Sequence, residues 1–293
     1  MCDQLLFPTD GSSGASVALN HVLDIATNYD ATVHILNIAD TTQDSLTQIQ
    51  GEIIDVLEQE GKEIVQDAAD RAQDRGVDIV TEVLQGEPYR TIINYADAHE
   101  IDLIVMPTHG RRGLERFLLG STTERVVRRA DKPVLTIRPD NETRLTYPHQ
   151  NVLVGTDGSD CAHQALSIAA DVANADGAAL HLLSVIALPT LAADVRPDFQ
   201  LEALEEGAHT ILNDAAAVAE DAGIEEVSTT VKYGSSIHQT ILSYIEDHDI
   251  DIVVIGTHGR TGFDRYMLGS ITEYLVRTSP VPVLTVRAPE QEA

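Results

Sequence analysis

Short apolar runs alternate with longer segments of mixed polarity along the whole chain. The runs have the length of strands, and in the first half they cover residues 4–8, 32–38, 79–84, 103–106 and 134–138. Their counterparts in the second half cover residues 152–155, 179–185, 228–231, 252–255 and 283–287. Helices are predicted between them, in the first half near residues 13–27, 58–75, 89–99 and 122–129. Strands that alternate with helices are typical of a parallel sheet with helices on both faces.

The chain is an internal duplication. Residues 107–138 and 256–287 align without a gap and share 18 of 32 positions, including Thr-His-Gly-Arg and Leu-Gly-Ser. The openings repeat as well, because Thr-Asp-Gly-Ser follows the first apolar run of each half. Repeats of this length are whole domains rather than solenoid units. We predict one domain over residues 1–138, a linker over 139–149, a second domain over 150–288 and a tail over 289–293.

The charge of the chain indicates the salt concentration to which the protein is adapted. The sequence holds 47 acidic and 19 basic residues, for a net charge of −28, and three of the basic residues are lysines. Such a surface repels itself in dilute buffer, whereas at molar salt the Debye length falls to about 3 Å. We therefore predict an acidic, halophilic protein of a salt-rich cytoplasm; the alternative is an ordinary acidic protein.

Several classes of protein are disfavoured. No apolar run reaches the length of about 18 residues that a membrane span needs, and no signal peptide precedes the first strand, so a cytoplasmic protein is expected. Cys2 and Cys161 lack metal-type spacing, and no metal site is predicted. Aromatic residues make up 4% of the chain and tryptophan is absent, so nucleic-acid binding lacks both stacking platforms and a broad basic face.

The arginines are concentrated beside two glycine-rich loops. Of 16 arginines, 11 fall within the two aligned segments. An acidic protein that gathers its cations there is expected to place them near an anion, although arginines on a solvated helix face would give the same count. The loops suit phosphate, because Gly259 and Gly269 let backbone approach a ligand and a helix start directs amides and its positive dipole end outward. Residues 121–124 and 270–273 also match a helix capping box.

These residues resemble a known family. Gly-x-x-Gly, nine residues and Gly-Ser after the fourth strand, with an aspartate closing the first strand, is similar to the universal stress protein family in its tandem form. The first half has Pro107 where the motif has Gly256. The resemblance implies two Rossmann-like domains of the adenine nucleotide α-hydrolase-like type. Each would be an open five-stranded parallel sheet with helices on both faces, and the nucleotide would bind at the carboxyl ends of the strands.

The resemblance also assigns roles to residues. Asp10 and Asp157 would hold the ribose, although Thr-Asp-Gly-Ser also suits a turn or helix cap. The backbone of Ile38 and of Val185 would meet the adenine. The phosphates would lie against Gly110, Gly120, Ser121 and Thr122 in the first half and Gly256, Gly259, Gly269, Ser270 and Ile271 in the second. Further phosphate contacts are expected from four loop residues, His109, Arg111, His258 and Arg260. For the two histidines the alternative is packing within the loop.

The expected ligand is ATP or AMP, with or without Mg²⁺. No nucleophile with its base, metal carboxylate cluster or positioned water is recognisable, so no catalytic residue is assigned and ATP hydrolysis would be slow. The first hypothesis is a nucleotide-binding stress-response or regulatory protein whose protein partner the sequence does not identify. The second is an enzyme that cleaves ATP or transfers phosphate or adenylate, and the third is a flavin-binding electron carrier.

Two further expectations concern the relation between the halves. In the family the fifth strands of two domains pair, so the strands after Pro133 and Pro282 predict an internal pseudo-dimer, and a homodimer is also expected. Proline has no backbone N–H, so the site next to Pro107 would bind ATP more weakly than the site next to Gly256. If this position only ends the strand, the two sites would match.

Overall fold

The protein consists of two compact units, residues 1–143 and 144–293. Its structure, a computed structural model, describes residues 2–40, 52–110, 119–140, 142–188, 197–259 and 267–288. Strands alternate with helices throughout both units, as the apolar runs predict. In the described ranges no helix is long and apolar enough to cross a membrane.

The first unit holds five strands and four helices among its described residues. In chain order they are β1 Gln4–Pro8, α1 Ser13–Tyr29, β2 Thr32–Asp40, α2 Glu52–Gln73, β3 Ile79–Gly86, α3 Pro88–Ala98, β4 Leu103–Pro107, α4 Ser121–Arg129 and β5 Val134–Ile137. The second unit repeats the order over its own described residues, with β6 Asn151–Gly155, α5 Asp160–Asp176, β7 Ala179–Ala187, α6 Pro197–Asp221, β8 Val227–Gly234, α7 Ile237–Asp247, β9 Ile252–Gly256, α8 Ser270–Thr278 and β10 Val283–Val286.

Each unit is built on an open sheet. The strand order is β3-β2-β1-β4-β5 in the first unit and β10-β9-β6-β7-β8 in the second. The pairings within each sheet are parallel, and β1 lies between β2 and β4 as β6 lies between β7 and β9. Helix α1 packs with α2 and α3 packs with α4, so the two pairs cover opposite faces; α5 with α6 and α7 with α8 do the same. The predicted fold class is confirmed.

The second strand of each unit is longer than its apolar run. Strands β2 and β7 continue two residues past their predicted ends, to Asp40 and Ala187. The hydrogen-bonded register explains the extension, because Asp40 still pairs with Gly86 and Ala187 with Gly234. Ala39 and Ile186 in these extensions are buried, so the ladder with β3 or β8, and not a change in burial, determines where each strand ends.

A histidine and a tyrosine meet in the core of each unit. His34 Nδ1 lies 2.9 Å from the Tyr95 hydroxyl, and His181 Nδ1 lies 3.1 Å from the Tyr244 hydroxyl. Each tyrosine ring stacks on a second histidine ring, His99 or His248, with centroids 3.9 and 3.8 Å apart. Burial, and then the neighbouring histidine, lowers the pKa of His34 and of His181, while Glu82 and Glu226 act in the opposite direction.

These clusters predict a loss of stability in mild acid. A histidine whose pKa is lowered by folding binds its proton more readily when unfolded. Its contribution is therefore fully present above the unfolded pKa of about 6.5 and is lost as the pH falls from there through the folded pKa. We expect the urea midpoint to drop between pH 7.5 and 5.5, and to drop less in the His34→Gln/His181→Gln variant. The exposed His209, changed to Gln, is the control, and an unchanged pH slope in the double variant would contradict the assignment.

Candidate functional site

The segment that follows the first strand of each unit forms the same tight turn. Asp10 Oδ1 accepts a hydrogen bond from the Ser12 amide at 3.0 Å, and Asp157 Oδ1 accepts one from the Ser159 amide at 3.0 Å. The glycine between them has a φ of 72° at Gly11, a conformation that favours glycine. The turn expected from Thr-Asp-Gly-Ser is thus present in both units.

The serine of this turn starts the next helix. Ser12 is the N-cap of α1 and accepts from the Ala15 amide at 3.2 Å, and Ser159 caps α5 through the Ala162 amide at 3.3 Å. In the first unit the Asn37 side chain also donates, through Nδ2, to the Thr9 carbonyl, at 2.8 Å in a buried position. The backbone around the aspartate is therefore fixed, and sequence patterns gave no sign of the contribution of Asn37.

The fold brings each aspartate against the glycine loop. A Cβ built on Gly110 would overlap the Oδ2 atom of Asp10, and one built on Gly259 would overlap the Oδ2 atom of Asp157. The glycines thus admit the carboxylate, in addition to any ligand that approaches the loop. The predicted ribose and phosphate residues therefore lie side by side at the carboxyl edge of each sheet, although 100 residues or more separate them along the chain.

The helix after the loop does not begin as the capping-box pattern indicates. Gly120 and Gly269 are the N-caps of α4 and α8, neither helix has a side-chain cap, and Ser121 and Ser270 are the first helical residues. The capping-box interpretation is wrong because the helix starts one residue earlier than the pattern requires. Both serine side chains are exposed at the helix start, where they can donate to a ligand.

The two glycines of the Gly-Ser pairs have a structural role. The Gly120 amide donates to the Thr108 carbonyl at 2.7 Å, and the Gly269 amide donates to the Thr257 carbonyl at 2.8 Å. A Cβ on Gly120 would lie 3.2 Å from that carbonyl oxygen. These amides close the loop, so donors for an anion come from the residues that follow.

A threonine in the first turn ties the helix to the strand before the loop. Thr123 Oγ1 donates to the Pro107 carbonyl at 2.9 Å, and Thr272 Oγ1 donates to the Gly256 carbonyl at 2.7 Å. Both bonds are buried. The sequence repeats this threonine in both halves. The repetition alone does not show whether the side chain binds the preceding strand or only favours the start of a helix.

The first turn of α4 can bind an anion. The Glu124 amide donates to the carbonyl of the N-cap residue Gly120 at 2.8 Å. The amides of Ser121 and Thr122 lie before Glu124 in this first turn. Amides at a helix start carry partial positive charge and favour anions. Ser270 and Ile271 hold the same positions on α8, where the Glu273 amide donates to the Gly269 carbonyl at 2.8 Å.

Ile38 and Val185 lie near the ends of β2 and β7. The Leu36 carbonyl accepts from the Thr9 amide at 2.8 Å, so the backbone of Leu36 faces β1. Since alternate residues of a strand face the same neighbour, the backbone of Ile38 also points to that side, past the end of β1 at Pro8. The Leu183 carbonyl and the Thr156 amide, 2.9 Å apart, place Val185 in the same way. Both half-buried residues thus present backbone groups beside the turn that follows β1 or β6.

The loop histidines have neighbours within the protein. His109 Nδ1 lies 3.2 Å from Thr108 Oγ1, and His258 Nδ1 lies 3.1 Å from Thr257 Oγ1. Burial, and then the positive charge of Arg287, lowers the pKa of His258. These contacts favour loop packing for the histidines. Arg111 and Arg260 lie outside the described residues.

The strand-end position that differs between the halves is used in the same way in both. Pro107 pairs with Ile137 and Gly256 pairs with Val286 in register. The amide of the next residue donates to that partner's carbonyl at 2.8 Å in each unit. This geometry favours the alternative in which Pro107 only ends its strand, and then Pro107 itself would cause no difference in affinity between the two sites.

Packing explains why the second half has a glycine at residue 256. A Cβ on Gly256 would lie 2.7 Å from Cys161 Cβ, and Cys161 Sγ lies 3.5 Å from His258 Nε2. In the first half Gly14 replaces the cysteine, and a Cβ added to Gly14 would lie 2.8 Å from the Pro139 side chain. Cys161 therefore leaves no room for a side chain at residue 256, whereas the corresponding residue of the first half is a glycine that Pro139 crowds.

We expect Gly256→Ala to destabilise the protein by roughly 1–3 kcal/mol, the usual cost of overpacking. The added methyl group would collide with the Cys161 side chain, so Cys161→Gly, which copies the first half, should recover part of the loss; the backbone carbon and oxygen of residue 161 would still lie 3.0 and 3.2 Å away. The measurement is a double-mutant cycle from denaturant midpoints. Additive losses in the double variant would show that the two residues do not compete for the space.

A cavity of about 320 Å³ opens between α1 and α2 of the first unit. Phe7, Thr9 and Gly11 line its inner end, and Glu60, Glu63 and Asp67 line its wall. Arg71 also lines the cavity, but the three acidic side chains make the cavity poorly suited to phosphate. Within the described ranges no group of three or more histidine, cysteine and acidic residues could hold a metal ion.

Fold and site define a tandem α/β protein of Rossmann-like type with a duplicated glycine loop. The model of the universal stress protein family matches residues 1–138 and 148–287, so the chain belongs to that family, which confirms the resemblance. A universal stress protein of Methanocaldococcus jannaschii is 38% identical over 138 residues, which cover 46% of this chain and 81% of that protein. One from Mycobacterium bovis is 29% identical over 239 residues, 78% of each chain.

A solved structure agrees with the tandem fold. The crystal structure of a universal stress protein from Archaeoglobus fulgidus matches with a TM-score of 0.74 and 26% identity, over 98% of each chain. Because the match spans both units, this relative also consists of two such domains in tandem.

Proposed function

We propose that each domain binds one adenine nucleotide, and that the protein acts as a stress-response or regulatory module without efficient catalysis. The observation that carries the proposal is the contact of Asp10 with Gly110 and of Asp157 with Gly259. In each pair a carboxylate suited to ribose hydroxyls lies beside a loop and a helix start suited to phosphate.

The other assignments follow from this placement. Backbone groups of Ile38 and Val185 would meet the adenine edge, and the amides and hydroxyls at the starts of α4 and α8 would hold the phosphates. Mg²⁺, if it binds, would be carried by the phosphates of ATP, since in this proposal the two aspartates hold the ribose. AMP would use the same ribose and adenine contacts with fewer phosphate contacts.

The first experiment identifies the ligand directly. The purified protein would be denatured and the released small molecules identified by mass spectrometry, with ATP or AMP expected at up to two per chain. Calorimetric titration of stripped protein with each nucleotide should then show two sites. Release of a flavin, or no binding of any adenine nucleotide, would contradict the proposal, and steady release of ADP would favour the enzyme hypothesis.

The association of domains belongs to the same proposal. The tandem repeat of a family domain supports an internal pseudo-dimer, and we propose that β5 and β10 mediate it. A fragment that ends at Arg138 would then lack its partner strand and should dimerise or aggregate. Light scattering that shows a stable, monodisperse monomer would contradict this arrangement.

A further inference from the structure

Three arginines of the first domain surround the ring of Tyr89. The guanidinium carbons of Arg90, Arg125 and Arg129 lie 5.7, 5.1 and 5.2 Å from the ring centroid. Arg90 Nε and Arg129 Nη1 also donate to the Tyr89 hydroxyl, at 2.9 and 3.4 Å. A cation over an aromatic face is attracted by the ring quadrupole. We call these four residues the arginine platform.

The platform is ordered and still accessible. Glu87 bridges two of its members, since Oε2 lies 2.9 Å from Arg90 Nε and Oε1 lies 3.0 Å from Arg125 Nη1. The side chain of Arg90 is nevertheless 68% exposed and that of Arg125 is 54% exposed. Guanidinium groups held in this way lose little conformational freedom when they bind an anion.

The platform lies next to the proposed phosphate site. Arg125 follows Ser121 by four residues on α4, and residues four apart share a face of a helix. Glu87 comes directly after β3, so α3 begins at the same carboxyl edge of the sheet as α4. An anion at the start of α4 that extends toward solvent would therefore approach Arg125 and then Arg90.

The second domain has a different surface at these positions. Ser236, His238, Gln239, Tyr274 and Thr278 replace Glu87, Tyr89, Arg90, Arg125 and Arg129 in the repeat alignment. The rings of His238 and Tyr274 pack with centroids 3.8 Å apart. The phosphate loop is duplicated, whereas the three arginines beside it are not.

We propose that the arginine platform binds the distal phosphates of a nucleotide, so that the first domain selects nucleotide polyphosphates and the second discriminates less by phosphate number. The inference rests on the proposed function, since it assigns a specificity to that same site. Guanidinium groups bind phosphate through paired, charge-assisted hydrogen bonds, and each added phosphate adds negative charge.

The test uses full-length single-site variants. Gly259→Ala leaves the first-domain site and Gly110→Ala leaves the second. Calorimetry at fixed ionic strength would give the Kd of AMP and of ATP for each. We expect the ratio of the AMP Kd to the ATP Kd to be about tenfold higher for the first domain, the difference that one good phosphate contact makes.

A second variant tests the residues themselves. In the Gly259→Ala background, Arg90→Gln with Arg125→Tyr introduces the residues of the second domain and should weaken ATP binding about tenfold while AMP binding is unchanged. Arg75→Gln removes an arginine of the turn after α2, where it pairs with Asp24, and should change the binding of neither nucleotide.

The outcomes separate the two proposals. If neither nucleotide binds to either single-site variant or to the wild type, the proposed function fails. If both bind but the Kd ratio is equal in the two domains, or if the Arg90/Arg125 change weakens AMP as much as ATP, the platform is not a phosphate subsite. In that case the arginines only pack on Tyr89 and pair with Glu87.

Discussion

Adding one methyl group at Gly259 is expected to remove nucleotide binding from the second domain, and the same change at Gly110 to remove it from the first. The new Cβ would overlap the carboxylate of Asp157 or Asp10, which must then leave its place beside the loop. Losing charge-assisted bonds to the ribose weakens binding by about 1.5–3 kcal/mol, and the displaced loop adds to this loss, so a change of about a hundredfold is expected.

The measurement is the stoichiometry of ATP binding by calorimetry, which should fall from two to one in each variant and to zero in the double variant. Gly207→Ala is the matched control, because a Cβ added at this position of α6 meets nothing within 4 Å. Circular dichroism would establish that each variant is folded. Two intact sites in Gly110→Ala/Gly259→Ala would refute the assignment of the loop and the aspartates together.

The melting temperature is expected to climb steeply from dilute buffer to molar KCl. The net charge of −28 is poorly screened at low ionic strength, and self-repulsion destabilises the compact state. Shielding it should raise the melting temperature by roughly 10 °C or more, since each kcal/mol shifts a domain of this size by several degrees. A thermal scan across a KCl series measures the effect.

Variants of α6 separate screening from a general solute effect. Helix α6 carries no lysine or arginine, and its Glu202 and Glu206 are exposed. Changing both to glutamine should raise stability in dilute buffer and flatten the KCl profile, while sorbitol of equal osmolality should act on both proteins alike. A flat profile for the wild type would argue against adaptation to salt and return the protein to the ordinary acidic class.

The sequence alone predicted the fold because the patterns that indicate it involve neighbouring residues and occur in both halves. Apolar runs and helix-length segments gave the order of elements, and the fold class followed from that order. The duplication, read from Thr-His-Gly-Arg and Leu-Gly-Ser, gave the two domains and the resemblance to the family. Strand ends were less well defined, as at Asp40, because hydrophobicity does not report how far a hydrogen-bonded ladder extends.

Only the tertiary structure decided how the candidate site is assembled. The Asp10 carboxylate occupies the space that a Cβ on Gly110 would need, and Cys161 occupies the space that a Cβ on Gly256 would need. Both contacts join residues that lie far apart in the chain. The capping-box pattern at Ser121 was misleading for a related reason, since the Gly120 amide is held by Thr108 across the loop. Pattern and propensity describe a residue and its near neighbours, whereas the shape of a site depends on which distant side chains the folded sheet brings into contact.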